Sequence, residues 1–405
     1  MGPDGAVAAC KPCVPSAGCV SGWREWSVAH GRGFLPNKLG LKRITLELDA
    51  LVLCHVPQER LVVIDVGAGI HNLAKRYINT ARRLHADDSD AIWLLSTLGA
   101  RAHVHAFEAN PQKAAELDAA AAARPQTANL TAHLTVHPMG VGGSDRSDHV
   151  ARCGFENEWT VAGNDGKARP DSRCRRGAQI NVTSLDNFVA SLGDVTPLYI
   201  KVDVEGGEWD VLKGMHSLLR RRAVPLLSFE YAVRWHPLFA RGRGQPVALR
   251  ADERNLTRHR SLARFQQKLS AYGYDTYLIN AGDRSSGVAL VPVHDDFWHE
   301  DFEICANRTR YYYHPWCWND LLVVRRCDAC TREALFGNVL RRTHESLYRW
   351  RRRAAPPWKP PVQSAAFVGQ PRGALGETQS QTEPTMTTGG GGEAGACASL
   401  CRAYR

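Results

Sequence analysis

Short apolar runs that end in an acid alternate along the chain with stretches whose apolar residues recur at helical spacing. LVVIDV, Leu61 to Val66, is continuous and greasy apart from one aspartate, the pattern of a strand covered on both faces. Helical spacing follows from about Asn72 to Leu84. HVHAFE, His103 to Glu108, predicts a second strand, and PQKAAELDAAAAA, Pro111 to Ala123, a helix with proline in its first turn. LTVHPMGVGG reads as a third strand and its turn, after which a polar stretch from Ser144 to Gly177 interrupts the alternation. INVTSLDNFVASL passes from strand to helix, and LYIKVDVEGGEWDVLKGM predicts a buried strand, a turn and a helix through Arg221. LLSFEYA, Leu226 to Ala232, is a fifth strand, SLARFQQKLSAYGYDTYLIN a helix leading into a sixth, and NDLLVVRR, Asn319 to Arg326, a seventh. Strands alternating with helices predict an α/β protein with a doubly wound, mostly parallel sheet.

The 405 residues have room for one large domain with extensions. The pattern divides them into an N-terminal extension (1–57), a central α/β domain (58–326), a basic helical segment (327–353) and a Pro/Gly-rich tail (354–405) with the composition of a disordered linker. With 44% hydrophobic and 23% charged residues the chain has a globular composition. No apolar run reaches the about 18 residues of a membrane span. MGPDGAVAAC lacks the basic and apolar regions of a signal peptide, and Ala6 breaks the myristoylation pattern. A cytoplasmic location is the default expectation, while four sequons, at Asn129, Asn181, Asn255 and Asn307, leave a secretory route open.

The formal charge of +10 is uneven: Arg325 to Arg353 holds nine arginines against three acids. Such a block suits nucleic acid or an anionic surface, though a solvated helix is the plainer reading. CKPC (Cys10, Cys13) and CDAC (Cys327, Cys330) have zinc-like spacing, but neither has a second pair nearby.

In a doubly wound sheet ligands bind beyond the carboxyl ends of the strands. Asp65 closes the first strand, Glu108 the second, Asp203 and Glu205 the fourth, Glu230 the fifth. Unpaired carboxylates are costly to bury, so five on one edge need solvent, a cation, or a ligand rich in hydroxyl and amino groups. Gly67 and Gly69 permit a tight turn and close approach of a ligand, and Glu108 sits where a carboxylate accepts from both hydroxyls of a ribose. A strand-to-helix turn without a ligand would also use these glycines.

VIDVGAGIH, HAFEANP, VTSLDNFV and LYIKVDVEGGEWDVLKG, in that order, resemble the motif series of the FkbM-type methyltransferases, over about residues 58 to 326. The resemblance implies a Rossmann-like class I fold whose seventh strand is antiparallel, S-adenosylmethionine as cofactor, and methyl transfer to an oxygen of a small molecule or sugar. It further implies that Asp65, Gly67 and Gly69 line the methionine and ribose part of the cofactor, that Glu108 holds the ribose hydroxyls, and that Gly140 and Val141 lie near adenine. Asp203 and Glu205 would face the methyl group and the acceptor. The chain departs from the family pattern DVGANxG at Gly69 and His71. About forty residues separate Gly67 from Glu108, which implies an insertion around His85 to Gly99, and the segment between Gly282 and Asn319, with its aromatic runs FWHEDF and YYYHPWCW, is expanded.

An alcohol acceptor must lose a proton as the new bond forms, which calls for a base. Asp203, Glu205, Glu230 and His236 are the candidates by position. Clustered carboxylates offer an alternative, holding Mg²⁺ to lower the acceptor's pKa. Two other readings stay open: a nicotinamide-dependent oxidoreductase, against which the missing third glycine counts, and a non-catalytic cofactor-binding protein acting through its basic C-terminal segment.

Overall fold

The computed structural model describes residues 61–69, 89–125, 127–153, 158–161, 175–204, 206–232, 261–280, 289–293, 318–326, 328 and 331. The helix expected at Asn72 to Leu84, the cysteine pairs, the aromatic runs apart from Trp318, the basic segment apart from Asp328 and Thr331, the tail and the N-terminal extension lie outside them.

Twelve strands are described: β1 (Leu61–Val66), β2 (Ala102–Phe107), β3 (Leu134–His137), β4 (Gly140–Val141), β5 (Arg146–Cys153), β6 (Glu158–Val161), β7 (Arg175–Thr183), β8 (Pro197–Val202), β9 (Leu226–Ala232), β10 (Tyr274–Asn280), β11 (Ala289–Pro292) and β12 (Trp318–Arg325). Eight form the main sheet in the order β11-β10-β12-β9-β8-β1-β2-β3. From β3 to β9 the pairs are all parallel, whereas β12 runs antiparallel to both β9 and β10. This is the Rossmann-like arrangement expected, with its antiparallel seventh strand, extended by β11 as an edge strand the sequence reading passed over.

β1 and β8 are buried at every position. Helices α1 (Asp90–Leu98) and α2 (Pro111–Ala123) cover one face of the sheet; α3 (Leu185–Ser191), α4 (Glu208–Lys213), α5 (His216–Arg220) and α6 (Leu262–Ala271) cover the other. Their starts are written in the sequence. Asn110 caps α2 by accepting from the backbone N–H of Gln112 at 2.9 Å, with Pro111 at the first position, and Ser89, Ser184 and Ser261 cap α1, α3 and α6.

Three stretches depart from expectation. Much of the region assigned to an insertion, His85 to Gly99, is α1, which buries Ala91, Ile92, Leu94, Leu95 and Leu98 against the sheet as a crossover helix should. The helix expected through Arg221 is two helices, α4 and α5. An ideal Cβ on Gly214 would lie 2.1 Å from the carbonyl oxygen of Gly142, so the chain gives up its helical ladder there to let the loop after β4 pass. The polar stretch from Ser144 to Gly177 contributes to a second sheet, β4-β7-β5-β6, whose described core is only Val150, Ile180 and Val182. Arg146 and Asp210 pin it to α4 at 3.1 Å. Among the described residues no helix is long and apolar enough to cross a membrane.

Candidate functional site

Strand order reverses between β1 and β8, since the chain steps from β1 outward to β3 and resumes on the opposite side. Such a reversal opens a crevice at the carboxyl ends of the two strands. Backbone hydrogen bonds weld the strand tips around it: Gly67 and Ala68 both donate to the carbonyl of Phe107 at 2.9 Å, and Asp203 donates to that of Val66 at 2.9 Å. Gly67 sits at φ +86°, and a Cβ there would fall 1.7 Å from the Asp203 carbonyl oxygen, so glycine is required for the two loops to meet.

Along β1 the even positions feed the core beneath α3 to α6, while Leu61 and Val63 face α1. Asp65 follows that alternation to the α1 side and is fully buried. Across the β1–β8 register it lies opposite Lys201. The Lys201 ammonium reaches Asp65 Oδ1 at 3.3 Å, Asp90 Oδ2 at 3.0 Å and Asp203 Oδ2 at 3.4 Å. Asp65 Oδ2, also buried, has no hydrogen-bond partner among the described residues. Burial pushes Asp65 up to about 6; Lys201 pulls it down, and Asp90 and Asp203 push it up. For Lys201 burial works against the charge, but attraction to the same three aspartates outweighs it and holds the ammonium well above its ordinary range.

Glu108 stands across the glycine loop. It is buried, and its Oε1 accepts from the Asn110 N–H at 2.8 Å. Its Oε2 would lie 2.7 Å from a Cβ on Gly69, so a bare backbone leaves the carboxylate room. Burial raises its pKa, against the Asn110 hydrogen bond and Lys113. In the turn after β8, Glu208 is fully buried and accepts from the N–H groups of Val204 at 3.0 Å and Gly206 at 3.2 Å. Burial first, and Asp203 as a further cause, push it up to about 7.

The structure thus gathers Asp65, Gly67, Gly69, Glu108 and Asp203 at one crevice. Glu230 is buried on β9, one pleat beyond Ser228, which pairs in register with Lys201, and so lies on the same face. Gly140 and Val141 are buried in β4, with Val141 in the same core cluster as Phe107 and Leu185. Glu205 and His236 lie outside the described residues. Lys201, Asp90 and Glu208 were missed. The signal for Lys201 was present, because a lysine inside LYIKV is a charge in a buried strand and must have partners. Among the described residues no group of three His, Cys, Asp or Glu side chains is arranged to hold a metal ion, and the centre of the aspartate cluster is taken by the Lys201 ammonium. Nothing found supports the Mg²⁺ alternative.

The glycine cradle and the partnerless Asp65 oxygen fit a ligand that brings a cationic donor to one side and hydroxyls to the other. The family model of the FkbM methyltransferase domain matches residues 65–275, a span that runs from the end of β1 to the start of β10. No curated protein matches the chain. Among solved structures, the methyltransferase FkbM from Methylobacillus flagellatus is 13% identical with a TM-score of 0.32, over 65% of this chain and 44% of that one, so the chain spans less than half the length of that protein. The cofactor-bound Rv0187 from MTB is 11% identical with a TM-score of 0.32, over 75% of this chain and 89% of that one.

Proposed function

The chain belongs to the FkbM methyltransferase family, and from that premise we propose that it transfers a methyl group from S-adenosylmethionine to a hydroxyl oxygen of a small molecule or sugar. The observation that carries the cofactor assignment is the buried Asp65 oxygen without a partner, on a carboxylate bound by Lys201, together with a glycine loop whose Gly69 leaves room for the Glu108 carboxylate. Asp65 would take the cofactor's ammonium group and Glu108 the ribose hydroxyls, because carboxylates are acceptors only and match both. When bound, the cofactor supplies an electrophilic methyl on a positively charged sulfur.

The chain's own part is to hold the acceptor in line with that methyl and to receive a proton from it. Asp203 is the candidate base by position. Its side chain is 12% exposed, so an acceptor can approach it. Glu208 holds the turn that follows Asp203 through two backbone N–H groups and keeps the base in place. A hydroxyl acceptor suits this set, since an alcohol needs a base as the ether forms. The nicotinamide reading has no support in the family match.

Calorimetry with S-adenosylmethionine tests the cofactor assignment. Glu108→Ala should weaken binding by about 1–3 kcal/mol, the scale of hydrogen bonds to a charged group. Unchanged affinity would remove Glu108 from the site. Methyl-labelled cofactor incubated with cell extracts, followed by mass spectrometry, identifies the acceptor. Label on nitrogen rather than oxygen would overturn the hydroxyl assignment.

A further inference from the structure

Lys201 is 4% exposed in a strand whose other five positions are apolar and buried. An ammonium taken out of water needs compensation, and one carboxylate would supply it. This lysine has three. One positive charge among three negative ones leaves a surplus of two, and the buried oxygen Asp65 Oδ2 is still without a donor. A cluster built only to hold the fold together would not carry that surplus into the most buried part of the switch-point crevice. The lysine also sets geometry: its three contacts draw carboxylates from β1, from the first residue of α1 and from the loop after β8 to one point.

We propose that Lys201 is the positioning residue of the cofactor site, an internal cation that aligns Asp65 with Asp203 and favours the ionised form of Asp65 for a cationic ligand. The proposal rests on the S-adenosylmethionine reading and goes beyond it, because it makes the pH range of binding a property of β8 rather than of the residues that touch the cofactor. The charged and titratable groups around Asp65 among the described residues are Lys201 and Tyr199 from β8, Asp90 from α1, and Asp203, with Glu208 acting through Asp203; β2 offers only Ala106 in register, and β9 places Ser228 beside Lys201 and the buried Glu230 one pleat further on the same face. Lys201 works to lower the proton affinity of Asp65, whereas Asp90 and Asp203 raise it.

Two substitutions must therefore move the titration in opposite directions. Binding of S-adenosylmethionine by the full chain is measured by calorimetry from pH 5 to pH 8.5, with folding checked by circular dichroism. In the wild type, affinity should fall on the acid side as Asp65 protonates. Lys201→Met should move that acid limb upward by about 1–3 pH units, the scale of losing an adjacent opposite charge, so that affinity at pH 7 drops by about twofold to about a hundredfold and recovers as pH rises toward 8.5. Asp90→Asn removes a like charge and should move the limb downward; Lys201→Arg, which keeps the charge, should stay nearer the wild type than Lys201→Met. A loss of affinity by the same factor at every pH in Lys201→Met, or an upward shift in Asp90→Asn, would overturn the proposal. If Lys201→Met does not fold, Asp90→Asn carries the test, since Asp90 is 25% exposed at the start of its helix. Wild-type protein that binds no cofactor at any pH would bring down the cofactor reading and this inference together; binding with unmoved limbs would overturn the inference alone.

Discussion

The tips of β1 and β8 and the tips of β2 and β3 both concentrate titratable side chains at the end of a parallel strand pair, and they are held together by opposite means. At the first, three aspartates meet around the buried Lys201 ammonium, Asp65 fully buried and Asp203 and Asp90 partly exposed. At the second, the rings stack. His137 lies 4.6 Å from Phe107 and 5.3 Å from His105, centroid to centroid, and Phe188 of α3 meets all three rings edge-on. His105 Nδ1 and His137 Nε2 share a hydrogen bond of 3.1 Å, and His103 Nε2 bonds Thr135 Oγ1 at 2.8 Å. A histidine can be packed as a neutral ring, so its burial needs no counter-charge. An aspartate that must stay ionised has no such route. On the proposed reading, that difference separates a site prepared for a charged ligand from a ring cluster that is complete as built.

The largest effect expected is at the weld that shapes the first region. Gly67→Ala forces a side chain into positive φ and against the Asp203 backbone, and should cost about 2–5 kcal/mol from strain and overpacking together. Denaturant unfolding measures it; a loss under about 1 kcal/mol would mean the β1 and β8 loops do not meet as described. At Gly99, also at positive φ but with open space around it, the same change should cost less, from backbone strain alone.

Next comes Asp65→Asn. The folded-state value of Asp65, about 6, lies above the ordinary carboxylate range. A group shifted upward favours the native state fully below its unfolded value and loses that contribution as pH rises through the folded one. Asp65 is therefore a burden at pH 7 that acidification from about 6 to 4 relieves. Replacing it with asparagine should stabilise the protein at pH 7 on the order of 1–3 kcal/mol and remove this relief from the pH profile. The same variant should lose S-adenosylmethionine affinity at least tenfold. Thermal unfolding at pH 7 and pH 5, beside calorimetry, reads both; a variant less stable than wild type at pH 7 would show that Asp65 serves the fold rather than a ligand.

How much of this was legible beforehand follows from how each feature is encoded. β1, β2, β8, β9 and β12 are mostly apolar runs, and the acids Asp65, Glu108 and Asp203 at the ends of β1, β2 and β8 stand out because a charge at the end of such a run is conspicuous. Lys201 was hidden by the same logic turned round. It sits two residues before Asp203 in LYIKVDV and was read with the motif, although the period of two puts both on one face of the strand. Its third partner, Asp90, is 111 positions earlier in the chain, and no local pattern joins the two. Of the second sheet only the end of β7, in INVTS, is legible as a strand, because so little of the rest is apolar. Its strands are joined mainly by backbone pairing, with four buried apolar residues described, Val141, Val150, Ile180 and Val182, so neither alternation nor a greasy run announces the others. The break at Gly214 depends on Gly142, a contact between segments distant in sequence that only packing reveals.

The smallest effect, and the one that bears most directly on the contrast between the two strand pairs, is at His137. Burial, with His103 nearby, lowers its pKa below the ordinary histidine value. A histidine shifted downward contributes stability that is present above its unfolded value, about 6.5, and is lost as pH falls through the folded one. The second region should thus weaken in acid over the range where the Asp65 cluster gains. The shared hydrogen bond gives the reason in structural terms: one ring nitrogen must offer a lone pair, and protonating both rings removes it. His137→Phe keeps the stack and deletes the titration. At pH 7 it should change stability by about 1 kcal/mol or less, the value of one hydrogen bond. Between pH 7 and pH 5 its stability should decline less than that of the wild type. In the double variant with Asp65→Asn the profile over that range should flatten, because the two opposing contributions are then both absent. A wild-type acid profile reproduced by His137→Phe would mean that the stacked rings do not titrate with folding, and the contrast between the two strand pairs would reduce to the aspartate cluster alone.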